Sequence, residues 1–240
     1  MKIKKISNKI DNWTPPVRPN LIELEGRYTR LAPLCAQAHS EPLFRANSAD
    51  DSIWDYLPYG PYATVSDYRS WVADAQGGHD PAYVAIMDKE HSVWAGVASF
   101  MRINPEMGVI EVGGINYARR LQRTRAATET MYLMMKWAFE AGYRRYEWKC
   151  NALNMPSRRA AQRLGFSYEG IFRQSMIVKN RNRDTAWFAI IDSEWPALKQ
   201  AFQQWLAPEN FDGDGRQLCS LATLTAPVRV SQDPELAEQV

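Results

Sequence analysis

The chain has 240 residues, 45% of them hydrophobic and 23% charged, with a formal net charge of +2. This suits one sizeable core with tails, and the near-neutral balance excludes a bulk electrostatic pull on nucleic acid or a membrane surface. Cys35, Cys150 and Cys219 are far apart and odd in number, and His39, His79 and His91 are scattered. A disulfide framework or a zinc site is therefore not expected, and a reducing cytoplasm fits.

The first residues, MKIKKISNKIDNW, are basic but have no apolar run behind them, so they do not read as a signal peptide. No apolar run of roughly eighteen residues occurs, so no membrane span is expected.

In chain order, residues 1–20 read as a loose arm, because Pro15, Pro16 and Pro19 oppose regular structure. Alternation of Leu21, Glu23 and Glu25 with Ile22 and Leu24 predicts one or two strands around Gly26, stopped by Pro33. Ala36–Ala46 predicts a helix with Leu43 and Phe44 inward. Asp50–Tyr62, DDSIWDYLPYGPY, is a loop broken by Pro58, Gly60 and Pro61. Ser66 is expected to cap a helix through Ala75, which Gly77 and Gly78 end.

Ala82–Met87, Val93–Ile103 and Val109–Tyr117 predict an antiparallel meander. Ala126–Ala141 predicts a helix with Ala127, Met131, Met134 and Ala138 on one face and Gly142 past its end. Arg145–Cys150 is a strand and Ser157–Leu164 a short helix. Phe166–Phe172 and Thr185–Asp192 are strands around the loop Asn180–Arg183, and Glu194–Leu206 is a last helix. From Pro208 the chain reads as a poorly ordered tail in which Leu218–Leu224 has the means to dock. This order predicts an α/β domain over residues 21–206, built on a mixed sheet with a crossover. The arm (1–20) and the tail (207–240) flank it.

Two junctions concentrate chemistry. At Tyr117–Glu129, YARRLQRTRAATE, a strand ends, a polar loop follows and a helix begins. Unpartnered amides and the helix dipole suit an anion there. Arg119, Arg120, Arg123 and Arg125 add charge, and Ala126 and Ala127 admit close approach. At Cys150–Phe166, CNALNMPSRRAAQRLGF, Asn154 precedes a helix opened by Pro156 and Ser157.

Together, Gln122-x-x-x-x-Ala127-x-Glu129, then Asn154-x-x-Ser157, then Leu164-Gly165-Phe166, resemble the GCN5-related N-acetyltransferase (GNAT) superfamily, over roughly residues 20–206. Within it the chain is most similar to the RimJ/RimL group. The resemblance implies a mixed, mostly antiparallel sheet flanked by helices, with acetyl-CoA as co-substrate. It places coenzyme phosphates at Gln122, Arg123, Thr124, Arg125, Ala126 and Ala127, and the pantetheine arm at Asn154. It also makes Val109–Tyr117 the strand that meets the thioester, through Gly113–Ile115 and so through Gly114 and Ile115. The family loop usually carries glycines where Arg123 and Arg125 stand, so either arginine side chains supplement this one or the loop takes a different shape.

For transfer to an amine, Glu111 is the candidate base and Ser157 the candidate acid for the departing thiolate. The family's carboxylate after the Leu-Gly-Phe segment is replaced here by Ser175–Met176, and Asp184 reads as a partner of Arg183. The acceptor is expected to approach Asp50–Tyr62, where Asp55 suits a cationic amine and Trp54 and Tyr56 suit its body. An amine-bearing acceptor, a protein N-terminus or a small molecule, is the expected partner. Nucleic acid and membrane are not expected partners, and a homodimer is one candidate state. The competing reading is a non-catalytic coenzyme-A-binding sensor.

Overall fold

The computed structural model describes residues 9–237; the ends of the predicted arm and tail, 1–8 and 238–240, lie outside the described residues. Eight strands form one sheet: β1 (Leu24–Glu25), β2 (Thr29–Pro33), β3 (Ala82–Asp88), β4 (Val93–Asn104), β5 (Val109–Tyr117), β6 (Arg145–Asn151), β7 (Ser167–Val178) and β8 (Arg181–Ile191). Their spatial order is β1-β2-β3-β4-β5-β6-β8-β7. Every neighbouring pair is antiparallel except β5 with β6. That exception follows from connectivity: a helix crosses over between these two strands, which makes them parallel. This is the expected single-domain α/β fold.

The crossover helix, α3 (Arg125–Glu140), is capped by the Thr124 side chain and ended at Gly142, whose φ is +99°. It packs on one face of the sheet with α5 (Trp195–Leu206). Ala127, Met131, Met134 and Ala138 are buried there, as their spacing predicts, against Ile110, Val112, Tyr146 and Phe188. The other face carries α1 (Ala36–Asn47) and α2 (Val65–Ala75) over a second core of Leu43, Trp54, Tyr68, Val72, Ala85 and Val97. Thr64, not Ser66, caps α2, because its hydroxyl reaches the Asp67 amide at 3.1 Å. This second core takes no residue from β5, β6 or β8, so on that face these three strands carry no helix-packed apolar layer.

Two local features shape the middle of the sheet. Pairing of β5 with β6 runs from Val109↔Arg145 to Val112↔Trp148 and stops there. Beyond it the strands diverge, with Gly113–Tyr117 on one side of the gap and Lys149–Asn151 on the other. A bulge shifts the β4–β5 register between Val97↔Asn116 and Ser99↔Gly113. Gly114 turns there with φ +57°, and a Cβ on it would lie 2.9 Å from the Tyr83 ring and 3.1 Å from Ser99 Oγ. Only glycine meets both demands cheaply.

Beyond the predicted strand ends, β7 and β8 continue as a long hairpin whose tip is Lys179–Asn180, with φ values of +49° and +58°. Two consecutive left-handed residues suit the right-handed strand twist. Its outer half is exposed, and its apolar residues Met176, Ile177 and Val178 run consecutively instead of alternating, so no apolar alternation announces it.

The tail also departs from expectation. After a 3-10 turn at Pro208–Asn210, α6 (Leu221–Thr225) buries Leu221 against the main core, and Asp233, just before α7 (Pro234–Ala237), is buried beside α4 (Met155–Arg163). There Arg158, also fully buried, donates to both Asp233 oxygens at 2.6 Å. The glycines and aspartates of 208–216 suggest disorder locally, but a long-range ion pair decides the outcome. The arm is tied down as well: Trp13 Nε1 donates to the Glu106 carbonyl, and the Tyr143 hydroxyl to that of Val17. Among the described residues no helix is long and apolar enough to cross a membrane.

Candidate active site

The loop from β5 into α3 presents amides. The Thr124 hydroxyl accepts from the Ala127 amide at 3.0 Å and donates to the Leu121 carbonyl at 2.7 Å. Among the described residues, the amides of Arg123, Arg125 and Ala126 take no hydrogen-bond partner. Arg123 is exposed with φ +63°. Ala126 and Ala127 are buried and add no bulk. Gln122 braces the loop, its Nε2 donating to the Tyr117 carbonyl at 3.0 Å.

The arginines divide. Arg123 stands free at the loop, whereas the Arg125 guanidinium lies between the rings of Tyr28 (4.9 Å) and Phe211 (5.0 Å) and 3.6 Å from Glu90. Arg119 pairs with Asp50 at 3.2 Å. The Arg125 side chain, expected to supplement the cradle, is instead held between two aromatic rings and beside Glu90. Glu129 is structural: its carboxylate accepts from the amides of Arg27, Tyr28 and Thr29 and pins the β1–β2 turn to α3.

The gap between β5 and β6 opens toward α4. Asn154 caps this helix, Oδ1 accepting from the Ser157 amide at 3.1 Å, which leaves its Nδ2 donor free of that duty. Ser157 Oγ accepts from Trp148 Nε1 at 3.0 Å. With an acceptor lone pair occupied by the indole, the hydroxyl keeps its proton for donation, and the Cys150 thiol lies within its hydrogen-bonding reach. Burial pushes the neighbouring Cys150 thiol up to about 11. A protonated thiol is a poor nucleophile, so Cys150 is unsuited to carry a covalent intermediate.

The open face of β5, β6 and β8 holds a ladder of charges. Register places Glu111 opposite Glu147, and Lys149 opposite Trp187. Glu111 is 2% exposed, with Oε1 2.5 Å from Arg102 and Oε2 2.9 Å from Lys149. Burial raises its carboxyl above the ordinary value, against the pull of Lys149 and Arg102. At Glu147 the burial penalty is outweighed by hydrogen bonds from Lys149 and Arg145, which hold it below the ordinary value. The Lys149 ammonium also lies 3.8 Å over the Trp187 ring, which stacks on Phe172 at 4.3 Å.

The expected acceptor loop is partly corrected. Trp54 is buried under Gly60, Tyr59, Tyr62 and Tyr68 in the second core and is not presented to a ligand; its aromatic demand is satisfied by packing. Asp55 is exposed, and Tyr56 spans the mouth of the gap, its hydroxyl donating to the Leu153 carbonyl at 3.1 Å. The hairpin tip reaches the same loop, Lys179 Nζ donating to the Trp54 carbonyl at 3.0 Å. Asp184 does not pair with Arg183 but accepts from the Gln174 amide and Asn182 Nδ2. Arg102, Lys149 and Trp187 escape a sequence reading, because each looks like an ordinary strand residue until neighbouring strands bring it beside Glu111. Among the described residues no group of metal-ligating side chains occurs.

Comparisons with known proteins agree with this geometry. A model for the acetyltransferase (GNAT) domain matches residues 29–167. The chain is similar to the crystal structure of a GCN5-related N-acetyltransferase from Brucella melitensis, at 49% identity and a TM-score of 0.89, covering 90% of this chain and 100% of that one. It is also similar to a probable acetyltransferase (GNAT family) from Chromobacterium violaceum ATCC 12472, at 38% identity and a TM-score of 0.76, covering 82% and 100%. The microcin C7 self-immunity acetyltransferase MccE, in complex with acetyl-CoA and AMP, shares the fold at 18% identity and a TM-score of 0.62, covering 69% and 93%.

Proposed function

Because the chain belongs to the GNAT acetyltransferase family, we propose that it moves the acetyl group of acetyl-CoA to a primary amine by direct attack within a ternary complex. The observation that carries this reading is the β5–β6 gap, bordered at one end by the unpartnered amides at the start of α3 and at the other by Ser157. A bound acetyl-CoA in MccE, which shares the fold, is consistent with it.

In this reading the amides of Arg123, Arg125 and Ala126 and the Arg123 side chain hold the pyrophosphate. Asn154 Nδ2 meets the pantetheine arm, and the β5 backbone at Gly114–Ile115 meets the thioester carbonyl, whose developing negative charge an amide stabilises. The acceptor enters over the open face beside Tyr56 and Asp55. Its ammonium gives a proton to Glu111, directly or through water. The neutral nitrogen then attacks the carbonyl carbon, the C–N bond forms and the C–S bond breaks. The thiolate leaves with a proton from Ser157, which is replenished from solvent. Protein N-termini, implied by the RimJ/RimL resemblance, and small amines are the acceptor classes to compare.

Incubation with acetyl-CoA and an amine panel should release free thiol in step with acetylated amine. Binding of acetyl-CoA without thiol release from any amine would favour the sensor reading, and absence of acetyl-CoA binding would remove both.

A further inference from the structure

On the open face, three consecutive outward positions of β8 carry a buried donor without a partner. These are Arg183 Nε, Thr185 Oγ1 and Trp187 Nε1. They alternate along the strand, and Trp187 and Thr185 lie opposite Lys149 and Asn151 of β6, so all three point to the side that bears Glu111. Buried donors are normally satisfied, because leaving one without an acceptor forfeits its hydration. A single lapse is unremarkable, but three in a line on the face where the acceptor enters call for a ligand rich in acceptor atoms.

Charge points the same way. The ladder supplies Arg102, Lys149 and Arg145 against Glu111, Glu147 and Glu169, each engaged with the next. Arg183 forms no ion pair among the described residues, since Asp184 is spent on Gln174 and Asn182. Unlike Arg181, exposed at the hairpin tip, it is a buried surplus donor beside the ladder. Its electrostatic neighbours are Cys150, Arg102 and Glu111, which turns its charge toward the gap.

We infer that the acceptor is a primary amine that also carries an oxyanion, a carboxylate or phosphate, bound by Arg183 and Thr185 while its nitrogen lies at Glu111. A guanidinium Nε and a hydroxyl two residues apart on a strand, about 6.6 Å along it, are matched by the lone pairs of one oxyanion reached by the long arginine side chain. A second acceptor atom of the substrate body would take the Trp187 N–H. The same cation favours the neutral form of a nearby amine, which is the form that attacks. This inference rests on the acetyltransferase reading above and adds the substrate class.

The test uses matched acceptors, phenylalanine against phenylalaninamide and 6-aminohexanoate against 6-aminohexanamide. They are assayed for thiol release with acetyl-CoA and titrated calorimetrically into the protein saturated with coenzyme A. The anionic member of at least one pair should be favoured about tenfold, the size expected of one charge-assisted contact. Arg183→Met should erase that advantage, Arg183→Lys should restore part of it, and Thr185→Val should reduce it, each with an unaltered melting midpoint. Equal treatment of both members by both assays, or a preference that survives Arg183→Met, overturns the inference. Acetyl-CoA affinity, measured separately, tells that failure from failure of the acetyltransferase reading itself.

Discussion

Ser157 illustrates how much one residue's role depends on its immediate partners. Alone, a serine in the first turn of a helix is a helix-start residue. Here Trp148 Nε1 donates to its oxygen at 3.0 Å, fixing the rotamer and leaving the hydroxyl proton available, while burial keeps the adjacent Cys150 protonated. Ser157→Ala should therefore lower kcat by roughly 10²-fold, the low end for a lost general acid, with acetyl-CoA affinity little changed. A wild-type kcat with a reduced melting midpoint would make Ser157 purely structural. The motif Asn154-x-x-Ser157 was legible in the sequence, but the indole that orients the hydroxyl was not. Trp148 lies nine residues away on a different element, and nothing in the spacing links the two.

At the scale of elements, α3 shows why local pattern is readable and side-chain direction is not. Its apolar spacing and the glycine past its end follow from the chain alone, and the structure bears them out. The four arginines before it look equivalent in sequence. Packing divides them, since Arg125 is drawn between Tyr28 and Phe211 and Arg119 to Asp50, leaving Arg120 and Arg123 exposed at the loop, Arg123 directly before the capping Thr124. Arg123→Glu should weaken acetyl-CoA binding by about tenfold, since it replaces an attraction to phosphate with a repulsion at a helix N-terminus. Unchanged affinity by calorimetry would remove the phosphate assignment from this side chain.

The β7–β8 hairpin is the converse case. Its outer half lacks the apolar alternation that predicts strands, because both of its faces there are exposed. Pairing across a tight left-handed turn forms it, and pairing is invisible in a single stretch of sequence.

At the scale of the molecule, the tail closes onto the site from behind. Arg158 follows Ser157 directly, and its guanidinium joins Asp233, Glu235 and the Ala152 carbonyl. The last of these belongs to the same β6–α4 loop that Tyr56 contacts through Leu153. Removing one partner of a fully buried ion pair strands the other charge, at a cost of about 3–5 kcal/mol. Asp233→Ala should thus lower the melting midpoint by roughly 10 °C in a chain of this size. A midpoint equal to wild type would show that the Arg158–Asp233 pair contributes nothing to the fold's stability.

Period and punctuation in the sequence determined the strands of the meander, α3, the crossover and the order of the coenzyme-binding motifs, because these follow from contacts between residues near in the chain. Only the tertiary structure decided where Trp54 belongs, which arginines stay unpaired at the loop before α3 and how the tail docks. It also decided how Glu111, Lys149 and the donors of β8 come to share one face. The reason is that a side chain's partner across a sheet is chosen by strand order and register. Both are set by burial of the whole core rather than by any segment on its own. The loop before α3, with its arginines and unpartnered amides, shows both kinds of information at once: its position is written in the chain, and the division of labour within it is settled by packing.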